Sequence, residues 1–403
     1  MDTEYRSLDA LGLLREIEGV GRDARRGGYS RHVFDDAERT LRDWFVERAR
    51  GLGLGVDTDR NGNIWAWWGE PGPGAVVTGS HLDSVPGGGA HDGPLGVVSA
   101  LDAVARLKRS GFVPARPLAI VVFAEEEGSR FGIACLGSRL LSGAIDPDRA
   151  GTLVDASGRT FAEVASDAGL GSFGRDDEAL ARIGVFVELH VEQGRGLVDL
   201  DAPVAVGSSI LEHGRWRIDV RGQGNHAGTT EIADRRDPML PAAAAVAAAR
   251  AAATRRTGSR ATIGRLEPIP GGTNVIASRV AAWLDVRAGS EADTRAIVAD
   301  VAAEVADAAA AEGCEATVVE ESYSGEVRFD PALRDRLAAA LGGVPVLPTG
   351  AGHDAGVLAG SVPTAMLFVR NPSGVSHAPE EGADDAAIEA GVAALVRALE
   401  ELS

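Results

Sequence analysis

The chain has 403 residues, 45% hydrophobic and 25% charged, which is enough for two globular domains with a substantial core and gives no sign of disorder. Asp and Glu number 59 against 40 Lys and Arg, a net charge of -19 that argues against non-specific binding to nucleic acid or to an anionic membrane surface. No basic-then-apolar leader opens the chain and no apolar run is long enough to span a bilayer, so a cytoplasmic protein is expected. Cys135 and Cys314 lie far apart among apolar residues and read as core thiols of a reducing compartment, which leaves His and carboxylate as the ligands for any metal.

Taken in order, residues 8 to 53 carry the three-and-four spacing of two amphipathic helices, with Leu11, Leu13, Leu14 and Ile17 in one and Ala37, Leu41, Trp44, Phe45 and Ala49 in the other. Residues 55 to 68 read as a hairpin turning at Asn61-Gly62 or Gly62-Asn63. The apolar run from Ala75 predicts a buried strand that delivers His81 and Asp83 at its carboxyl end, where open α/β sheets keep their sites. At i and i+2 these two face the same way, so Asp83 would steer the imidazole from behind. Gly87, Gly88, Gly89 and Gly93 then bring Asp92 close to a small charged object, ahead of a helix from Leu95 to about Arg109.

The run from Pro117 to Ala124 predicts a strand buried on both faces, and it ends in Glu125, Glu126 and Glu127. Three successive carboxylates there repel one another unless a cation is near. A strand at residues 185 to 189 ends in His190, and His377 follows a strand at residues 363 to 369. Each motif is weak alone, but independent buried strands that all end in metal-competent side chains point to one shared site.

Between these strands the pattern changes. Strands at 216 to 220, 261 to 266, 275 to 287 and 314 to 319, with helices at 238 to 253 and 291 to 311, give the β-α-β-β-α-β order of a ferredoxin-like module. The α/β pattern resumes after it with helices at 330 to 341 and 386 to 402, so the module is an insertion. The expected organisation is an α/β domain of residues 1–208 and 322–403 with an inserted α+β domain of residues 209–321.

His81, Asp92, Glu126, Glu127, His190 and His377, in this order and context, resemble the M20 metallopeptidase superfamily. More narrowly, ELHVEQG at 188 to 194, GQGNHAGTT at 222 to 230 and AGHDAG at 351 to 356 look like its amidase/hydantoinase/carbamoylase branch. The resemblance implies a catalytic domain with a mixed, helix-covered sheet, and makes the insertion a lid through which two copies dimerise. It also implies two divalent ions, zinc or manganese, cobalt or nickel, with His81 and His190 on one, Glu127 and His377 on the other and Asp92 between them. Glu126 takes the position of the general base, and His226 that of an oxyanion-stabilising histidine lent to the other subunit. Gln193, Asn274, Arg287 and His353 fall on substrate-binding positions, with Arg287 as a bidentate fork for an α-carboxylate.

The implied reaction is hydrolysis of a non-peptide C–N bond in a small ureido compound, an N-carbamoyl-L-amino acid or allantoate. The sequence departs from its relatives at GSSILEHGRW (207 to 216), where Glu212 and His213 replace a smaller, glutamine-containing version. Arg370 would offer a charge to an acidic N-formyl or N-acyl amino acid, and that is the alternative substrate. A catalytically silent small-molecule binder would have no need of Glu126.

Overall fold

The computed structural model describes residues 8–403. In chain order its strands are β1 (Gly55–Thr58), β2 (Ile64–Trp68), β3 (Ala75–His81), β4 (Leu118–Phe123), β5 (Ile183–Val191), β6 (Val204–Ile210), β7 (Glu212–Arg221), β8 (Asn225–His226), β9 (Arg260–Ile269), β10 (Val275–Ile276), β11 (Arg279–Ala288), β12 (Glu315–Ser324), β13 (Val327–Arg328), β14 (Val346–Thr349) and β15 (Thr364–Val369). Two compact units result, one running up to Ser209 and resuming as Arg328–Ser403, the other Ile210–Val327.

The first unit is built on a mixed sheet in the order β1-β2-β4-β3-β5-β15-β6-β13, with β14 beside β6. Its four central strands, β4, β3, β5 and β15, are mutually parallel, and the flanking β2 and β6 join them antiparallel. Every residue of β3, β4 and β15 is buried, as expected of near-continuous Val, Ile, Leu and Ala runs covered on both faces. The parallel register carries the functional consequence. His81 pairs with Phe123, and His190 with Phe368, so the carboxyl ends of four strands emerge along one edge.

Helices Pro94–Ser110 and Asp385–Leu402 cover one face, with Leu95, Val98, Leu101, Val104, Leu395 and Leu399 fully enclosed. Helix Ala10–Ile17 joins them, and Asp102 in the middle of this core accepts the Ala10 N–H (3.0 Å) and pairs with Arg106 (2.9 Å). The opposite side is closed by a smaller aromatic cluster around Phe131, Phe161 and Leu140. The expected hairpin is β1 with β2, and its turn has Gly62 at φ 85°.

The second unit has the antiparallel order β12-β7-β11-β9, the 4-1-3-2 arrangement of a ferredoxin-like module. Helices Met239–Thr254 and Glu291–Ala311 pack on one face, the second placing Ile297 and Val301 with Trp216, Ile218, Leu284 and Val286 of the sheet. Ala242, Ala245, Ala249 and Ala252 make the buried stripe of the alanine-rich helix. One expectation fails here, because residues 275 to 287 are not a single strand. The chain steps out of the sheet at Ala277–Ser278, and β10 pairs with β8 in a separate two-stranded ribbon while β11 alone enters the four-stranded sheet. Strand β6 gave no recognisable signal, since its Val204–Ile210 run is interrupted by Gly207, Ser208 and Ser209.

Within β3, Gly79 has φ 151°, and a Cβ there would sit 1.8 Å from the Val121 carbonyl oxygen. Gly79→Ala should therefore break the β3–β4 pairing and remove about 3 kcal/mol or more of stability in chemical denaturation. Gly55→Ala, with nothing within 4 Å of the added methyl, should stay close to wild type.

Candidate metal centre

His81 ends β3, and its Nδ1 bonds to the Asp83 carbonyl oxygen (3.1 Å). His190, near the end of β5, bonds through Nδ1 to the Val191 carbonyl oxygen (2.9 Å). A backbone carbonyl on Nδ1 places the proton there and leaves Nε2 as a free lone pair in both rings. Both Nε2 atoms are fully enclosed and have no hydrogen-bond partner. Buried polar atoms are seldom left so, and an acceptor pair aimed at one point is suited to a cation. Gly93, at φ 84°, permits this, because a Cβ would come within 2.5 Å of the His81 ring.

Asp92 stands where the two rings converge. Its Oδ1 lies 3.1 Å from His190 Nε2 and 3.6 Å from His81 Nε2, and its Oδ2 lies 3.4 Å from His377 Nε2. Glu127 Oε2 is 3.5 Å from the same His377 nitrogen. Two ligand groups follow, His81–Asp92–His190 and Asp92–Glu127–His377, the atoms of each within 4.8 Å of one another. Metal–ligand bonds of about 2.1 Å give tetrahedral ligand–ligand edges of about 3.4 Å, which is the separation seen.

The three glutamates after β4 separate into different tasks. Glu125 takes φ 54° and turns away, accepting the N–H groups of Arg130 (2.9 Å) and Phe131 (2.7 Å) through Oε1. Glu126 and Glu127 alone enter the site, so the expected triple repulsion is reduced to a pair. Glu126 Oε2 is 3.6 Å from His81 Nε2, and its Oε1 accepts the Cys135 thiol (3.4 Å). Asp83 lies 3.5 Å from His81 Nδ1, and it also holds the glutamate backbone, with Oδ1 on the Glu126 N–H (3.2 Å) and Oδ2 on the Glu127 N–H (3.0 Å).

Burial raises the Glu126 carboxyl well above its usual range against the pull of His81, and it lifts Glu127 to about 7. Burial alone would depress His81, but Glu126, Asp83 and Asp92 hold its pKa well above normal. Among the described residues no Arg or Lys forms an ion pair with Asp83, Asp92, Glu126, Glu127 or Glu381. A buried surplus of carboxylate that favours positive charge at the imidazole nitrogens fits divalent cations.

Glu381, Ser376, Glu188 and Asp354 were not read from the sequence, whereas Gln193 and His353 were expected. Glu381 accepts the N–H groups of His91 (3.2 Å) and Asp92 (2.9 Å) on Oε1, and Ser376 donates to its Oε2 (3.4 Å). Gln193 Nε2 closes the circuit by donating to Asp92 Oδ2 (2.8 Å) and Ser376 Oγ (3.0 Å). Glu188, fully buried, takes the Ser80 hydroxyl (2.8 Å) and the Ala355 N–H (3.0 Å), while Asp354 takes the Ser138 hydroxyl. Glu188 was findable, since it stands two residues before His190 on the same strand and therefore on the same face. His353 packs its ring 4.5 Å from that of His190, and burial keeps it neutral.

The remaining expected residues lie in the second unit or apart from this cluster. His226 on β8 pairs with Val275, and the Ala227 N–H bonds to the Asn274 carbonyl (2.9 Å), so His226 and Asn274 share the small ribbon. Arg287 on β11 stands directly across from His213 on β7, its Nε on Asp285 (3.0 Å). Glu212 is buried and accepts the Tyr323 hydroxyl (2.5 Å). Arg370 does not present a free charge to a substrate, because Asp384 (3.3 Å) and Asp201 (3.7 Å) hold its guanidinium. Cys135 and Cys314 are both free thiols.

The sequence pattern described as Peptidase family M20/M25/M40 matches residues 77–401. An N-carbamoyl-L-amino acid amidohydrolase of Geobacillus stearothermophilus is 36% identical over 383 residues, 91% of each chain. A ureidoglycolate hydrolase of Arabidopsis thaliana is 33% identical over 422 residues, 98% of this chain and 87% of that one. The crystal structure of a hydantoinase/carbamoylase family amidase from Burkholderia vietnamiensis superposes with a TM-score of 0.87 at 30% identity, covering 99% of this chain and 98% of the other.

Glu381 braces the backbone of Asp92 without lying among the ligand atoms. Glu381→Ala should weaken binding of divalent metal by about 10- to 100-fold in chelator competition. Glu380→Ala, an exposed neighbour, should leave it unchanged.

Proposed function

The chain belongs to the M20/M25/M40 peptidase family, and from that premise we propose that it is a binuclear metal-dependent amidohydrolase cleaving a non-peptide C–N bond of a small ureido acid. The observation that carries the proposal is Asp92, whose two carboxylate oxygens face two different ligand groups. In this reading His81 and His190 would hold one ion and Glu127 and His377 the other, with Asp92 available to both. Nitrogen and oxygen ligands suit zinc, and manganese, cobalt or nickel as well. Bound there, the ions supply Lewis-acid activation of water and neutralise charge developing on the substrate oxygen.

The chain's own groups do the rest. Glu126 takes the proton of the attacking water on Oε2 and returns it to the leaving nitrogen, while the Cys135 thiol on Oε1 keeps the carboxylate turned toward the site. Asp83 holds the Glu126 and Glu127 N–H groups, which fixes the base relative to the ligands. Gln193, placed on Asp92 and Ser376, and the neutral His353 beside His190 form the polar wall for the ureido group. Arg287 is assigned to the substrate carboxylate, with Asn274, and His226 to the oxyanion in the site of a second copy. The Ile210–Val327 unit then acts as lid and dimerisation unit.

With an N-carbamoyl substrate, water adds to the carbonyl carbon and the amino-acid nitrogen leaves. The resulting carbamate decays to ammonia and carbon dioxide. The names of the relatives support the ureido class, and the engagement of Arg370 with Asp384 and Asp201 removes the feature that favoured an acidic N-acyl substrate.

The test is ammonia release by zinc-, manganese- or cobalt-loaded protein from N-carbamoyl-L-amino acids, allantoate and β-ureidopropionate, with N-formyl-L-glutamate alongside and read by detection of the freed amine. Turnover of at least one ureido compound is expected, whereas turnover of the formyl compound alone, or of none, would contradict the assignment. Glu126→Gln should retain its metal and lose about three decades of kcat; near-native turnover would remove Glu126 as the base.

A further inference from the structure

Behind the loop that leads into Asp92 lies a second cavity, of about 280 Å³, with none of the metal-centre side chains in its wall. It is closed by the end of helix Ala10–Ile17, by Tyr29 and Arg31, by the Gly89–His91 backbone and by Pro379. Its charged lining is Arg15, Arg22 and Arg31 against Glu18 alone, a cationic hollow on a chain of net charge -19.

Arg31 is the informative residue. It is 1% exposed, and among the described residues no carboxylate pairs with it. Nε donates to the Val20 carbonyl (3.0 Å) and Nη2 to the Ile17 carbonyl (3.2 Å), while Nη1 is enclosed without an acceptor. Those carbonyls satisfy two donors but supply no counter-charge, and a buried cation is held at a cost unless an anion accompanies it. Burial accordingly pulls its pKa down to about 10.

Arg22 lines the same cavity and stacks on the same aromatic ring. Its guanidinium carbon lies 4.7 Å from the Tyr29 ring centroid and that of Arg31 lies 4.0 Å from it, while Glu18 neutralises Arg22 only. In the same lining His91 Nδ1 is enclosed without a partner. Two unpartnered nitrogens and three guanidiniums in one lining are the chemistry that receives an oxyanion. Leu14, Ile17 and Pro379 add an apolar side that inorganic phosphate would leave unused.

We propose that this cavity binds a small organic carboxylate, its charged end toward Arg31, Arg22 and Arg15 and its short apolar body against Leu14, Ile17 and Pro379. The site is separate from the reaction centre. It touches the Gly89–His91 segment, the residues that immediately precede Asp92.

The test is calorimetric titration of the metal-loaded full chain with propionate, and separately with inorganic phosphate. Arg287→Ala serves as the background, because it removes the carboxylate grip assigned to the reaction. One saturable propionate site should survive Arg287→Ala and weaken at least tenfold when Arg15→Gln and Arg22→Gln are added. Both side chains are exposed, and the melting temperature should not move. Propionate binding that is absent, or unaffected by the two glutamines, overturns the proposal; so does saturable binding of phosphate in preference to propionate.

Discussion

The structure depends on one carboxylate placed between two clusters of metal-competent side chains. Asp92 is 4% exposed, its backbone N–H is held by Glu381, and each of its side-chain oxygens faces a different group of ligands. Around it are buried Asp83, Glu126 and Glu381, without an arginine or lysine to balance them among the described residues. Such a nest is unfavourable as a bare protein core, since burial drives carboxylates toward the neutral form and each unfilled lone pair loses its water. Divalent cations resolve both problems at once, and the fold reads as a device for presenting that nest.

The parallel sheet is what makes the presentation possible. Because β4, β3, β5 and β15 run the same way in register, Glu126 and Glu127, His81, His190 and His377 all arrive on one edge although they are far apart in sequence. Local strain completes the alignment. Glu125, Cys135 and His377 all adopt left-handed backbone conformations, at φ 54°, 56° and 57°, costly for side chains of this kind and concentrated beside the site. The turn at Glu125 aims Glu126 and Glu127 inward, and that at Cys135 puts its thiol on Glu126.

Much of this was legible in the sequence, for physical reasons. Continuous Val-Ile-Leu runs such as LAIVVF can be little else but a strand covered on both faces, and His or Glu at their ends stands out against that background. The β-α-β-β-α-β order of the second unit followed from the alternation of two periods. What escaped was whatever depends on partners distant in the chain. No periodicity shows that β10 leaves the sheet to pair with β8, because Val275 to Arg287 is equally compatible with one long strand. Nothing local indicates that Glu125 turns outward, or that Glu381 reaches back to Asp92 across nearly the whole sequence. Arg370 looked available because Asp201 and Asp384, which hold it, flank it only in space.

Sharing of Asp92 between two ions is read out by metal stoichiometry after equilibrium dialysis. Wild-type protein should retain two divalent ions per chain, His377→Ala should retain one, and Asp92→Asn should lose tight binding at both positions. Saturation of the wild type at a single ion, or an Asp92→Asn protein that still holds one ion as tightly as before, would contradict the account.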